Sequence, residues 1–154
     1  AKAQGTITYT SSDKKVAAIG RTNGKVTLKG CGIATITIKA AGNSKYNSAT
    51  KKVTITVKPK KQVITALSSK KKTFTIKWKK DSKATGYKIQ YATNQKFKKA
   101  ASLTIKKNST TTQTVRKAMK AGKKYYVRVC AFKTYKKKTI QGTWSKAKSI
   151  KIKK

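Results

Sequence analysis

Two thiols and two carboxylates are the side chains best able to act as nucleophiles, acids, bases or metal ligands in this 154-residue chain, which contains no histidine. General acid–base catalysis needs an imidazole or a pair of carboxylates, and Asp13 and Asp81 stand far apart in the sequence. Calcium and magnesium sites need several converging oxygen anions, and zinc sites need more ligands than Cys31 and Cys130 provide. The residue types therefore predict a protein that is not an enzyme and that uses no metal or cofactor.

The two cysteines are expected to lie in different domains, so no disulfide between them is predicted. Cys130 is predicted on the outward face of its strand, where nearby lysines would lower the pKa of an exposed thiol and make it reactive. A thiolate without a base or an oxyanion donor is not a protease nucleophile, so a neutral structural role is favoured. Asp13 and Asp81 lie in turn sequences, where carboxylates ordinarily cap backbone N–H groups.

The chain carries 41 basic residues against two acidic ones, and its formal net charge is +39 at pH 7. Residues 1–61 hold 13 basic residues and residues 62–154 hold 28, so the second part produces the larger field. Self-repulsion destabilises the compact state, which favours a function for the charge over solubility and edge protection alone. Twelve lysines in predicted loops or on outward strand faces are the candidate polyanion-binding residues: Lys70, Lys71, Lys72, Lys96, Lys98, Lys99, Lys123, Lys124, Lys133, Lys136, Lys137 and Lys138.

The preference for lysine over arginine narrows the class of partner. Only Arg21, Arg116 and Arg128 are arginines, whereas proteins that read nucleic-acid sequence use guanidinium groups against bases and phosphates. Lysines attract anions diffusely, through counterion release. The predicted partner is a repeating polyanion such as cell-wall teichoic acid, the anionic envelope or an acidic glycan, with nucleic acid bound only non-specifically.

Apolar residues alternate with polar ones in several short runs, which is typical of half-buried strands. The only proline, Pro59, lies among lysines and predicts a boundary between a domain at 1–60 and a domain at 61–154. Short strands without intervening helices predict an all-β architecture of two tandem antiparallel β-sandwiches. Only Val115 to Lys120 is compatible with a single helical turn, and no run is long and apolar enough for membrane insertion.

Seven of the twelve aromatic residues fall into two groups. Tyr46 and Tyr135 lie in predicted loops beside lysines and are candidates for exposed contacts. The others alternate with Ile and Val, which predicts packing in the core rather than stacking on bases or sugars: Trp78, Tyr87, Tyr91, Tyr125 and Trp144.

Three motifs stand in order within the first 60 residues: ITYTSSDKKVA at residues 7–17, GKV at 24–26 and GIATIT at 32–37. Through these motifs, this part of the chain resembles the bacterial Ig-like group 2 (BIG2) domain. That family has an opening strand for which the sequence before Gly5 is too short, so a truncated domain is expected and Ala1 is not expected to be the natural start.

The second part of the chain contains Trp78, GYKI at 86–89, YYVRV at 125–129 and GTWS at 142–145. With these motifs, residues from about 62 to the end resemble a lysine-rich fibronectin type III domain of Gram-positive surface proteins. The resemblance implies that Trp78 is the buried tryptophan of the second strand and that Tyr125 occupies the tyrosine-corner position.

Together the two resemblances imply an extracellular or wall-associated bacterial protein whose modules adjoin other domains and perform no chemistry. Fold likeness does not supply a ligand, so the partner has to be inferred from the surface. The leading hypothesis is electrostatic binding of anionic polymers. The alternative is a structural spacer in a larger adhesin or hydrolase.

Overall fold

The computed structural model describes residues 5–116 and 119–154, which form thirteen β-strands and no helix. The chain divides into two compact units, Ala1–Val57 and Lys58–Lys154. The paired strands are antiparallel throughout. The all-β class and the tandem antiparallel β-sandwiches predicted from the alternation are thus confirmed. None of the described residues form a helix that could span a bilayer.

The described part of the first unit, from residue 5, contains five strands in two small sheets. One sheet has the order β1-β4-β5 and the other pairs β2 with β3. The strands are β1 (Ile7–Ser11), β2 (Ala17–Ile19), β3 (Val26–Leu28), β4 (Gly32–Ala40) and β5 (Ala49–Val57).

The turn between β2 and β3 forms at the pair Asn23-Gly24, a sequence typical of hairpin turns. Gly24 has φ +66, a left-handed conformation that glycine adopts without steric cost. The Asn23 side-chain oxygen accepts a hydrogen bond from the Lys25 N–H at 3.0 Å, which closes an Asx turn. Asp13 caps its own turn in the same way, since its Oδ1 accepts the Lys15 N–H at 2.9 Å.

The buried apolar core of the first unit is small. Its described members are Val16, Ala17, Cys31, Ala34 and Ile36. Large apolar side chains elsewhere in this unit remain in contact with solvent: Leu28 is 59% exposed and Val53 is 42% exposed. Tyr46 is 58% exposed, in agreement with the prediction that it lies on the surface.

The second unit packs two sheets face to face. One sheet has the order β10-β7-β6, and the other has the order β12-β11-β8-β9 with β13 also paired to β11. The strands are β6 (Ile64–Lys70), β7 (Thr73–Trp78), β8 (Gly86–Ala92), β9 (Ala101–Ile105), β10 (Thr112–Val115), β11 (Lys124–Tyr135), β12 (Lys138–Gln141) and β13 (Lys148–Lys151).

Alternating side chains of the central strands fill this second core. Along β11 the inward residues Tyr125, Val127, Val129 and Ala131 are all buried. Trp78 is buried as predicted, and its ring meets that of Tyr87 edge to face with centroids 5.3 Å apart. Burying each such side chain contributes about 1.5–3 kcal/mol, so the core supplies most of the stability of this unit.

The tyrosine corner expected at Tyr125 is present. Its hydroxyl accepts a hydrogen bond from the Lys120 N–H, five residues upstream, at 3.2 Å. Val115 to Lys120, the segment compatible with a helical turn, includes residues 117 and 118, which lie outside the described part of the chain.

A buried polar network closes the opposite end of the core. The Tyr87 hydroxyl accepts the Asp81 N–H at 2.8 Å and donates to the Asn108 carbonyl at 3.1 Å. The Asp81 carboxylate accepts the backbone N–H groups of Lys60 and Lys83 at 3.1 and 2.9 Å. Asp81 therefore caps backbone groups, as its turn sequence predicted. It also fixes the entry of the chain into the second unit.

Loss of the Tyr87 hydroxyl should show how much this network contributes to the stability of the second unit. Tyr87→Phe leaves the buried Asp81 N–H and the Asn108 carbonyl without their partner, which should lower the free energy of unfolding of the second unit by about 2 kcal/mol. Both tryptophans lie in this unit, so denaturant unfolding followed by tryptophan fluorescence reports on it selectively. Tyr126→Phe, on the half-buried outer face, is the control and should change stability by less than about 0.5 kcal/mol. Equal stabilities of the two variants would contradict this role of Tyr87.

Candidate anion-binding surface

The candidate polyanion-binding lysines lie at two opposite ends of β11. This strand has twelve residues, and at about 3.3 Å per residue it separates its ends by roughly 35 Å. Lys123 and Lys124 lie where it begins. Lys133 and the turn lysines Lys136 and Lys137 lie where it ends and reverses into β12. The structure therefore places the candidate lysines in two groups.

Strand pairing brings several loops to the beginning of β11. Lys124 pairs with Lys151 of β13, and Lys71 forms a bridge with Lys153. Ala92, the last residue of β8, pairs with Tyr126, which places the β8–β9 loop (residues 93–100) at the same end. We call the predicted lysines gathered here the first pole: Lys70, Lys71, Lys72, Lys96, Lys98, Lys99, Lys123 and Lys124.

The remaining predicted lysines, Lys133, Lys136, Lys137 and Lys138, form the second pole. Lys136 and Lys137 have φ +45 and +64 and make the tight turn between β11 and β12. The Lys136 ammonium lies 5.5 Å from the centroid of the half-buried Tyr135 ring.

The β8–β9 loop is held in one shape by its own hydrogen bonds. The Asn94 side chain accepts the Lys98 N–H at 3.0 Å and donates to the Lys98 carbonyl at 2.9 Å. Phe97 and Lys99 adopt left-handed φ values of +53 and +52, which L-residues sustain only where surrounding contacts enforce them. The loop that carries Lys96, Lys98 and Lys99 is therefore preorganised.

Arg128 anchors this loop to the sheet. Its guanidinium carbon lies 4.0 Å from the centroid of the Phe97 ring and 4.6 Å from that of Trp144. Its Nε and Nη2 also donate to the Gln90 Oε1 at 3.0 and 2.7 Å. A guanidinium close to two aromatic rings gains cation–π attraction from both, and its planar shape suits such contacts better than the ammonium group of lysine does.

The prediction that Trp144 packs in the core is wrong. It is half-buried and packs on Arg128 of the outer face. The reason lies in its neighbour: the Ser145 N–H donates to the Val129 carbonyl at 2.8 Å, and the Ser145 hydroxyl accepts the Val129 N–H at 3.1 Å. Ser145 takes the buried position, so Trp144 turns outward.

A surface cavity of about 460 Å³ lies beside the loop. Its lining contains two lysines, four uncharged polar residues and no carboxylate: Thr93, Asn94, Gln95, Lys96, Lys98 and Tyr126. Lys124 extends toward the same place, with its ammonium 5.5 Å from the Tyr126 ring centroid. We call this cavity and Lys124 the cationic basin. Its ammonium groups, amides and hydroxyls form a surface suited to attract and hydrogen-bond an anion.

The outer face of the sheet also carries a second cavity, of about 360 Å³, toward the second pole. Lys88, Lys106 and Phe132 lie in its lining together with four threonines. None of the twelve predicted lysines is among its lining residues.

Cys130 lies on the outward face of its strand as expected, but the expectation that its thiol is exposed, and so open to activation by nearby lysines, is wrong. Cys130 is fully buried, and burial raises its thiol pKa from 9.0 to about 11, against smaller lowering effects of Lys88 and Arg128. It lies between Arg128 and Phe132 on the outer face of β11 and opposite Lys88 of β8. These longer side chains enclose the small thiol, so alternation alone did not reveal its burial.

Known sequence families match both units of the chain. The family of the fibronectin type III domain matches residues 57–147. The chain belongs to the fibronectin type III family. The intimin immunoglobulin-like domain, from a family of bacterial surface proteins, matches residues 3–42. No curated protein is significantly similar to the chain.

Solved fibronectin type III structures share the fold at low sequence identity. The FN1–FN3 domains of chicken CNTN1 are 18% identical with a TM-score of 0.53, and the match covers 97% of this chain and 56% of theirs. A two-domain segment of chicken tenascin is 16% identical with a TM-score of 0.52, and the match covers 96% of this chain and 82% of that segment. The chain thus spans little more than half of the CNTN1 segment.

Sequence reasoning missed the residues that shape the cationic basin. Phe97, Asn94 and Gln90 lie outside the quoted motifs, and although Arg128 belongs to YYVRV, the association of these four residues depends on loop geometry and strand register. One usable signal was present, because Arg128 is the single arginine within a predicted strand of the second domain.

The Arg128 stack should control the order of the β8–β9 loop. Arg128→Lys keeps the charge but removes the planar contact, which should destabilise the second unit by about 1–2 kcal/mol. It should also speed amide exchange of Phe97 and Lys98 by about tenfold. Arg116→Lys, at an exposed arginine, is the matched control and should leave these amides unchanged in hydrogen-exchange NMR. Equal exchange rates in the two variants would contradict the anchoring role.

Cys130 should resist alkylation while the second unit is folded. At pH 8 a pKa of about 11 leaves about a hundredfold less thiolate than in an ordinary thiol. In a Cys31→Ala variant, iodoacetamide should therefore label the folded chain at least about a hundredfold more slowly than the urea-unfolded chain. As the pH rises, the Cys130 thiol ionises at a lower pH in the unfolded chain than in the folded chain. The stability that the buried neutral thiol contributes should therefore be lost as the pH rises from 9 toward 11. Rapid labelling of the folded chain would contradict the burial of this thiol.

Proposed function

We propose that the chain is a non-catalytic, cationic module pair of a secreted or wall-associated bacterial protein, and that it binds anionic polymers electrostatically. The family matches support a structural or adhesion module typical of extracellular and surface proteins. We assign the first unit to the group 2 bacterial Ig-like domains and the second to the lysine-rich domains of Gram-positive surface proteins, on the motifs given above. Other domains of a larger parent protein are expected beside them.

The observation that carries this proposal is the cationic basin at the first pole. Eight of the twelve candidate lysines approach one end of the second unit, and the Asn94 hydrogen bonds and the Arg128 stack fix the loop that bears three of them. A preorganised group of cations loses less conformational entropy on binding than freely rotating surface lysines lose. The basin therefore favours anion binding, instead of solubility alone, as the function of these lysines.

The chemistry of the side chains favours a repeating polyanion as the ligand. Lysine ammonium groups act as hydrated point charges that release counterions from a polymer without reading its sequence. Wall teichoic acid and acidic glycans both present anionic groups at regular intervals. Nucleic acid should bind as well, without sequence preference.

The alternative function is a structural spacer that separates a distant adhesive or catalytic domain from the cell. The similarity to multidomain fibronectin type III segments of chicken CNTN1 and tenascin favours this alternative. Under this function the charge is an adaptation to the wall environment, and no single pole governs attachment.

Charge reversal at the two poles should separate these functions. Lys96→Glu, Lys98→Glu and Lys124→Glu together should weaken binding to purified Gram-positive cell walls at near-physiological salt by at least about tenfold. The matched control combines Lys133→Glu, Lys136→Glu and Lys137→Glu, which changes the net charge equally but should cost less than about threefold. Binding isotherms to walls with and without teichoic acid provide the measurement.

Equal losses in both triple variants would show that charge acts diffusely, and would contradict a role for the cationic basin. Attachment that survives both charge reversal and removal of teichoic acid would support the spacer function instead. Duplex DNA is the comparator, and its binding should fall more steeply with salt than wall binding does.

A further inference from the structure

Two edge strands of the second unit, β6 and β13, lie along one side of its sandwich. β6 is the last strand of one sheet, and β13 pairs with β11 of the other sheet. Where these two strands end, contacts join the sheets. The Ser69 hydroxyl donates to the Lys151 carbonyl at 2.9 Å, and Lys71 forms a parallel bridge with Lys153.

A cavity of about 440 Å³ lies where the same two strands begin. Residues 61–64 line it on the β6 side and residues 145, 146 and 148 line it on the β13 side, and all of them belong to the second unit. We call it the seam cavity. Pockets that hold small ligands measure about 300–1,000 Å³, so the seam cavity has room for one amino-acid side chain with its backbone groups.

Gln62 brings a buried acceptor without a donor to this cavity. It is 4% exposed, and its Nε2 donates to the Lys60 carbonyl at 3.0 Å, which fixes the orientation of the amide. Its Oε1 is buried and has no hydrogen-bond partner among the described residues. Val63 is exposed between the buried residues Gln62 and Ile64, so the Gln62 side chain points inward with that of Ile64. A buried carbonyl oxygen without a donor is unfavourable.

The buried hydroxyl in the lining does not supply the missing donor. The Ser145 Oγ donates to the Lys146 carbonyl at 2.9 Å and accepts the Val129 N–H at 3.1 Å, so its proton is already used. The donor that satisfies the Gln62 Oε1 therefore has to come from a molecule that enters the cavity.

The rest of the lining favours a ligand that is both anionic and apolar. Lys61, Lys146 and Lys148 are exposed, and none of the described lining residues is acidic. Val63 and Ile64 add apolar surface, and Val63 is 52% exposed. These three lysines belong to neither pole, so the seam cavity is separate from the cationic basin.

One small chemical unit meets all three requirements, because the last residue of a peptide carries an N–H donor, a side chain and a carboxylate on one carbon atom. A fatty acid lacks the donor, and a sugar acid lacks the apolar side chain. We propose that the seam cavity binds the carboxyl terminus of a peptide that ends in an apolar residue. The terminal N–H donates to the Gln62 Oε1, the side chain contacts Val63 and Ile64, and the carboxylate lies among the three lysines. The proposal is independent of polymer binding at the two poles.

The probe is acetyl-Ala-Ala-Leu with a free carboxylate. Its matched analogues are the carboxyl-terminal amide and a depsipeptide in which an ester oxygen replaces the last N–H. NMR titration of the intact chain should show saturable shifts at the Gln62 side-chain amide and at Val63. The amide analogue should bind at least about tenfold more weakly because it lacks the charge, and the depsipeptide about tenfold more weakly because it cannot donate to Gln62. An analogue that binds as tightly as the free acid would overturn the proposal.

A variant of Gln62 tests the same hydrogen bond from the side of the protein. Gln62→Met removes the acceptor at similar side-chain length, so it should bind the peptide about tenfold more weakly and the depsipeptide as the parent chain does. Gln141→Met, at an exposed glutamine outside the seam cavity, is the control and should change neither affinity. Should Gln62→Met fail to fold, the comparison of peptide and depsipeptide on the parent chain decides. A folded Gln62→Met chain that binds the peptide with parental affinity would contradict the proposal.

Lysine variants test where the carboxylate binds. Lys146→Gln with Lys148→Gln should weaken binding of the peptide by at least about fivefold. Lys136→Gln with Lys137→Gln lowers the net charge equally and should change the affinity by less than about twofold. Equal losses in the two double variants would show that net charge alone attracts the peptide, and would also overturn the proposal.

Discussion

In the second unit, apolar side chains along β11 pack between two sheets while lysines cover the outside, and every other feature of this unit depends on that packing. Tyr125, Val127 and Val129 are buried on the inner face, and the tyrosine corner and the Tyr87–Asp81 network close the two ends. Mutual repulsion among the 31 basic residues of this unit opposes the compact state. The core must outweigh this repulsion, which explains why its ends are closed by buried hydrogen bonds.

Residues on the outer face of β11 determine how the lysines of the β8–β9 loop are arranged. Arg128 lies between Phe97 and Trp144 and hydrogen-bonds Gln90, so a charged side chain serves as a structural element. Through Phe97 it fixes the loop that presents Lys96 and Lys98. The inner face of β11 therefore provides stability, and its outer face arranges lysines that would otherwise be independent point charges.

Alternation in the sequence was sufficient to predict the central strands, because Phe74, Ile76 and Trp78 leave one consistent face apolar. It did not identify β6, β9, β10 or β12 as separate strands, because their short runs include many polar residues and depend on partners for pairing. Cys130 was wrongly expected to be exposed because long neighbouring side chains cover the outer face of β11, and Trp144 was wrongly expected in the core because Ser145 takes the buried position. The division of the lysines into two poles depends on strand register, which no local pattern contains.

Residue-resolved NMR titration of the intact chain with purified wall teichoic acid at near-physiological salt tests the central claim most directly. That claim is that anionic polymers bind preferentially at the preorganised cationic basin. The account predicts saturable shifts in residues 93–100 and at Lys124 and Tyr126, with much smaller shifts in residues 133–138. Shifts of equal size at both poles that vanish together as salt rises would contradict it.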